Sequence, residues 1–228
     1  MFINELIDFV YPLKSVLTDE LIRNKEENKY WNIEDINLLE KLNASQLDII
    51  KSKLNCDYFY SDLNFKEDNY TQKLVHSIKY FGLKNLGVQC GKFFSPGLMN
   101  YLKKEKLSID YLIPVPLHPV KERERGFNQS YYIAKGISEI IVIPLENRIL
   151  KRVKNTKSQT KLTFTQRKQN VANAFKIDDL FLSLIRNKNI LLLDDVVTTG
   201  STLNEICYIL RKNEVNKIFI YTLSSVIN

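Results

Sequence analysis

Two adjacent carboxylates followed by hydroxyl side chains around one glycine stand at Asp194, Asp195, Val196, Val197, Thr198, Thr199, Gly200, Ser201 and Thr202. They follow the apolar run 190–193. They precede Leu203, Ile206, Cys207 and Leu210, which have the i, i+3, i+4, i+7 spacing of an amphipathic helix. The segment reads as strand, acidic pair, glycine-containing loop, helix. Free N–H groups and the positive end of a helix dipole at such a loop suit a phosphate dianion. Thr198, Thr199, Ser201 and Thr202 add hydroxyl donors, and Gly200 allows close backbone approach. Asp194 and Asp195 are expected at the strand end, where open α/β sheets bind ligands. They can accept from two vicinal ribose hydroxyls, or help hold Mg²⁺ that bridges those hydroxyls to a diphosphate. A buried strand ending in a Ser/Thr-rich turn is the plainer reading of the same residues.

A second cluster lies in 111–129. An apolar run ends in a turn with Pro114, Pro116 and Pro119, followed by Lys121, Arg123 and Arg125, then Gly126 and a helix-capping Asn128. Arginine forks match diphosphate oxygens. Glu122 and Glu124 interleave with the cations, so a solvated charge cluster is equally open. The third stretch is polar, with Arg152, Thr156, Gln159, Leu162, Arg167, Asn170, Val171, Ala174 and Phe175 as its skeleton. It suits a mobile lid over a charged substrate, or an ordinary surface loop.

In this order, the three pieces carry a family resemblance. Pro-Val-Pro-Leu-His-Pro and Arg-x-Arg-Gly-Phe-Asn-Gln occupy 114–129. Arg-x3-Thr-x2-Gln-x2-Leu-x4-Arg-x2-Asn-Val-x2-Ala-Phe occupies 152–175. The acidic and hydroxyl segment resembles the phosphoribosyl-diphosphate (PRPP) motif of type I phosphoribosyltransferases. Over about 70–225 the chain resembles the ComF (GntX-like) family, whose members are linked in many bacteria with competence and the handling of incoming DNA. The resemblance implies PRPP or ribose 5-phosphate as ligand, with Mg²⁺. It implies a diphosphate loop at 114–128, with Pro116, Leu117, His118, Arg123, Arg125, Gly126, Asn128 and the following Gln129 as binding residues. It implies a flexible loop at 153–168 that closes over the site, carrying Lys154, Gln159 and Arg167. The PRPP loop would be 194–202, with Asp194 and Asp195 as catalytic and Mg²⁺-associated carboxylates. Single-stranded DNA and competence helicase or channel proteins are the implied partners.

One departure stands out. ComF proteins usually begin with a four-cysteine zinc ribbon, whereas this chain has no cysteine before Cys56. Cys56, Cys90 and Cys207 are scattered and cannot form a tetrahedral thiolate set, so no structural zinc is expected. The N-terminal region is read as a ribbon that has lost its metal or been replaced by helices.

The chain's 228 residues carry a formal net charge of +7. That charge favours polyanions or anionic substrates, although an A/T-rich genome gives the same Lys and Asn bias. Glu5 and Asp8 precede any basic residue, unlike a signal peptide, and no apolar run reaches the length of a membrane span. A cytoplasmic protein without membrane insertion is expected. Three functions remain open: a Mg²⁺-dependent phosphoribosyltransferase, a nucleic-acid-handling protein that senses a ligand through the same pocket, and a nucleobase-salvage enzyme.

The elements that must position these residues follow from periodicity. Helices are expected near 2–10 and 34–52, with caps at Asn32 and Ser45. An edge strand is expected at 58–65, and a helix at 70–81 stopped by Gly82. A second helix through 84–104 should break near Pro96-Gly97. Then follow a strand at 109–115, a helix at 128–141, a strand at 148–153, a helical turn near 166–174, a strand at 189–194, a helix at 201–213 and a strand at 217–223. Strands alternating with helices imply an α/β fold with a mostly parallel sheet. The type I phosphoribosyltransferase-like domain would span 67–228, after a small, mostly helical extension at 1–66.

Overall fold

Apolar side chains on the two long C-terminal strands fill both faces of a sheet, the pattern of a parallel sheet covered on each side. A computed structural model describes residues 12–25, 28–80, 82–154 and 173–227. Its strands are β1 (Tyr58–Asn64), β2 (Tyr111–Pro114), β3 (Leu150–Arg152), β4 (Phe175–Ile177), β5 (Asn189–Val197) and β6 (Lys217–Ser225). Its α-helices are α1 (Ala44–Lys51), α2 (Tyr70–Tyr80), α3 (Lys84–Lys104), α4 (Pro119–Arg125), α5 (Gln129–Ile141), α6 (Leu182–Ile185) and α7 (Ser201–Lys212). The main sheet is parallel, in the order β1-β6-β5-β2. Side chains alternate across each strand. Leu191, Leu193, Phe219 and Tyr221 join α2, α3 and α5 in one core cluster. Ile190, Leu192, Ile218 and Ile220 pack with α7 and Ile50 of α1 in the other. The α/β class expected from the sequence is therefore the class observed.

Helices α3 and α5 cross backbone to backbone. A Cβ on Gly91 would stand 2.1 Å from the Ile133 carbonyl oxygen, and one on Gly136 would stand 2.1 Å from that of Val88. This contact holds the start of α5 beside the sheet.

Several expectations are corrected. Helix α3 runs unbroken through Pro96, because Phe94 and Leu98 are buried on its core face and outweigh the missing amide hydrogen bond. The helix expected at 34–52 divides into a 3-10 helix, Ile33–Leu38, and α1. Asn32 caps the first. The second is capped by Asn43 rather than Ser45, through a reciprocal pair with Gln46. Strand β5 continues to Val197 instead of ending at 194, since β6 offers Ser224 and Ser225 as partners. The strand expected at 148–153 is a three-residue element that pairs antiparallel with β4 in a separate ribbon. Helix α4 was not expected. Pro119 sits in its first turn and His118 Nδ1 accepts from the Val120 amide as its cap. The helix expected near 2–10 lies outside the described residues.

The extension read over 1–66 is not separate from the sheet. Its last strand, β1, pairs with β6, and Leu17, Trp31 and Leu39 lie in the same core cluster as α2 and α3. Upstream, two pairs with i, i+3 spacing converge. Ser15 Oγ donates to Asp35 Oδ2 at 2.5 Å, Thr18 Oγ1 reaches the same carboxylate at 3.4 Å, and the Asn32 amide donates to it at 2.9 Å. Asn32 Oδ1 accepts from the Arg23 amide and its Nδ2 donates to the Leu21 carbonyl. Hydrogen bonds around one buried carboxylate tie this region together, since buried polar groups need partners.

Candidate active site

The end of β5, the turn after it and the start of α7 form a cup of about 260 Å³, lined by Asp194 and residues 196–203. Gly200 has φ +73° and ψ 0° and is the N-cap of α7. Its own side-chain space is taken by Leu54, whose Cδ2 would lie 2.5 Å from an added Cβ. The glycine therefore serves the left-handed turn and the packing of residues 53–55 beneath it, rather than ligand approach alone. Asn204, in the first turn of α7, clamps that segment: its Nδ2 donates to the Lys53 carbonyl at 2.9 Å and its Oδ1 accepts from the Asn55 amide at 2.7 Å. Thr199 and Ser201 share a hydroxyl–hydroxyl contact of 3.0 Å. Thr198 is exposed at the rim, whereas Val197 is buried in the core, with its carbonyl accepting from the Val226 amide.

The two carboxylates have different surroundings. Asp194 is partly exposed, lines the cup and accepts from Ser130 Oγ at 3.0 Å and from the Asp195 amide at 2.9 Å. Burial of its carboxyl and the neighbouring Asp195 charge raise its pKa. Asp195 does not line the cup and is 5% exposed. Burial pushes its pKa upward, but the Lys79 ammonium at 2.8 Å and further hydrogen bonds, one with Gln129, bring it below the usual carboxylate range.

Cations gather near the site on β3, where Arg152 acts on Asp194, and in the β2–α5 connection. Burial lowers the pKa of Lys121, as do the positive charges of Arg152 and Arg125. Arg152 is half-buried and interacts electrostatically with Asp194. Arg125 bonds the Gln129 side chain and stacks its guanidinium over the Tyr80 ring, 5.4 Å from the centroid. Lys121 and Arg125 share a face of α4 by their i, i+4 spacing, whereas the exposed Arg123 falls on another side. Several expected binding residues are occupied by the fold. His118 caps α4, Gly126 closes it with φ +83°, and Asn128 joins Val115 to the α5 amide of Ser130. Pro116 and Leu117 lie in the connection between β2 and α4, next to that cap. Lys154 is exposed just after β3, while Gln159 and Arg167 lie outside the described residues.

Lys79, Ser130 and Arg152 act on the two carboxylates, with Lys121 beside Arg152, and none of the four is among the expected binding residues. Lys121 and Arg152 stand in the second and third stretches. No local signal marks Lys79 or Ser130. Among the described residues, no group of three or more His, Cys, Asp or Glu side chains is placed to hold a metal.

A family model described as "Phosphoribosyl transferase domain" matches residues 128–226, which include β5, the cup and α7. The chain is 41% identical to competence protein F of Haemophilus influenzae over 50% of its own length and 49% of the relative's. It is 26% identical to DNA utilization protein YhgH of Salmonella typhimurium over 66% of this chain and 65% of that one. Over its C-terminal part the chain is thus similar to phosphoribosyltransferase domains, and it is similar in sequence to competence protein F and YhgH. It spans about half the length of competence protein F and about two thirds of YhgH. Among solved structures, the glutamine PRPP amidotransferase of B. subtilis aligns at 16% identity over 65% of this chain and 30% of its own, with a TM-score of 0.43. Among the described residues, no helix is long and apolar enough to cross a membrane.

Proposed function

We propose that this chain binds PRPP or ribose 5-phosphate and acts as a ComF-type phosphoribosyltransferase in the handling of DNA taken up by the cell. The observation that carries the reading is the cup itself. Asp194 lines the cup beside a hydroxyl-bearing turn at the start of α7, Arg152 acts on Asp194, and Lys121 and Arg125 form a cationic group with Arg152. The 5-phosphate takes the amides and hydroxyls of residues 198–202. Asp194 accepts from the ribose hydroxyls, and the cations take the diphosphate. In transfer, the bond from ribose C1 to diphosphate breaks as an acceptor nucleophile bonds to C1, and diphosphate leaves; C1 is oxocarbenium-like on the way, so the site would act mainly by positioning and by stabilising charge. Were Mg²⁺ to enter with the diphosphate, Asp194 is the accessible carboxylate that would help hold it, and the ion would supply charge neutralisation for the leaving group.

Isothermal calorimetry of the wild-type chain with ribose 5-phosphate, and with PRPP plus Mg²⁺, tests the reading. Binding that Asp194→Asn weakens about tenfold supports it. No binding at millimolar ligand overturns it. The DNA link rests on the names of the relatives, a competence protein and a DNA utilization protein, and on the net charge of +7. Binding to single-stranded DNA should be sequence-independent and fall steeply as salt rises. A flat salt response in a fluorescence-anisotropy titration would remove that part.

A further inference from the structure

We propose that Lys79 is a positioning residue of the sugar-phosphate site, acting through Asp195 rather than on the ligand. The inference rests on the functional reading above and adds a residue to it. Lys79 lies in the last turn of α2, outside the three stretches that mark the site in the sequence. Its Nζ is 2.8 Å from Asp195 Oδ2, with the lysine side chain 23% exposed and that of the aspartate 8% exposed.

Two consequences follow. The first is electrostatic. An ionised Asp195 beside a phosphate dianion would repel it, and the repulsion grows where water is excluded. Lys79 cancels that charge. The second is geometric. Strand side chains alternate in direction, and the cup is lined by Asp194 and not by Asp195. Lys79 holds Asp195 toward α2, so that Asp194 alone presents its carboxylate to the ribose. The next residue extends the effect: the Tyr80 ring lies under the Arg125 guanidinium, 5.4 Å from its centroid. One helical turn therefore braces both halves of the site, the carboxylates through Lys79 and the cationic helix α4 through Tyr80.

The test compares Lys79→Met, Lys79→Arg and the double variant Lys79→Met/Asp195→Asn with the wild type, by calorimetry with ribose 5-phosphate and by thermal melts. Lys79→Met should weaken binding at least about tenfold, and Lys79→Arg should stay within about threefold of the wild type. The double variant, which removes both charges, should recover most of the loss. A purely structural role would lower the melting temperature but leave the affinity of the folded variant, measured well below its melt, equal to that of the wild type, whereas a positioning role lowers that affinity. Where Lys79→Met does not fold, Lys79→Gln takes its place, since the amide can still bond Asp195 but leaves its charge unmatched. The same outcomes then apply. Binding to Lys79→Met or its substitute equal to that of the wild type overturns the role, as does a double variant no better than the single. Absence of binding to the wild type overturns the functional reading itself, and the role of Lys79 with it.

Discussion

Gly200→Ala tests whether the turn of the cup is built by packing from below. The position has φ +73°, where a side chain costs about 1–2 kcal/mol. The added Cβ would lie 2.5 Å from Leu54 Cδ2, more than 1 Å inside an ordinary carbon contact of about 3.5–4.0 Å. Relieving that overlap costs about 1–3 kcal/mol. The sum is a loss of about 2–5 kcal/mol. Leu54 is 7% exposed, so Leu54→Ala by itself costs about 2–5 kcal/mol through the cavity it leaves. Combined, the two substitutions should cost less than their sum by about 1–3 kcal/mol, because the overlap term disappears while the backbone term stays. Urea denaturation of the four proteins measures this directly. Ribose 5-phosphate calorimetry should follow the same order, with affinity lost in Gly200→Ala and partly regained in the double variant. Costs that add within about 0.5 kcal/mol would refute the packing argument and leave only backbone conformation as the reason for this glycine.

Asp62 is buried, accepts from Tyr221 Oη at 2.7 Å, and burial pushes its pKa up to about 7. The native state then holds this proton more tightly than the unfolded chain, so its contribution should weaken as pH rises from about 4 to about 7 and stay weak above. Asp62→Asn should therefore gain on the wild type by a few kcal/mol more at pH 8 than at pH 4; an equal difference at both pH values in urea titrations would contradict this. Asp35→Ala leaves Ser15, Thr18 and the Asn32 amide without their acceptor and should cost about 2–4 kcal/mol in the same assay. Replacing Ser15, Thr18, Asn32 and Asp35 together by cysteine places four thiols where side chains already converge. Elemental analysis should then find about one zinc per chain after dialysis, against none for the wild type. Zinc in the wild type, or none in the variant, would show that this region is organised differently.

How much could be read in advance depends on how far apart the cooperating residues lie. The cup was legible because its parts are contiguous. An apolar run, Asp194, a left-handed Gly200 and the periodic face Leu203, Ile206, Cys207 and Leu210 form a strand, turn and helix by local geometry alone. The α/β class followed from the alternation of such units. The ends of elements were less legible, because neighbours decide them. Strand β5 runs on past its carboxylates where β6 offers partners, and α3 passes through Pro96 because its buried face holds it. The roles of the two aspartates were not legible at all. Their side chains are chemically identical and adjacent, yet Asp194 meets Ser130 and the cup, while Asp195 meets Lys79, more than a hundred residues earlier in the chain. Sequence by itself determined that two carboxylates, a run of hydroxyls and a left-handed glycine follow one another at a strand end. Tertiary structure decided which carboxylate lines the cup, because crossovers of the parallel sheet bring distant charges within 3 Å, and burial makes those contacts strong enough to give the two aspartates different surroundings.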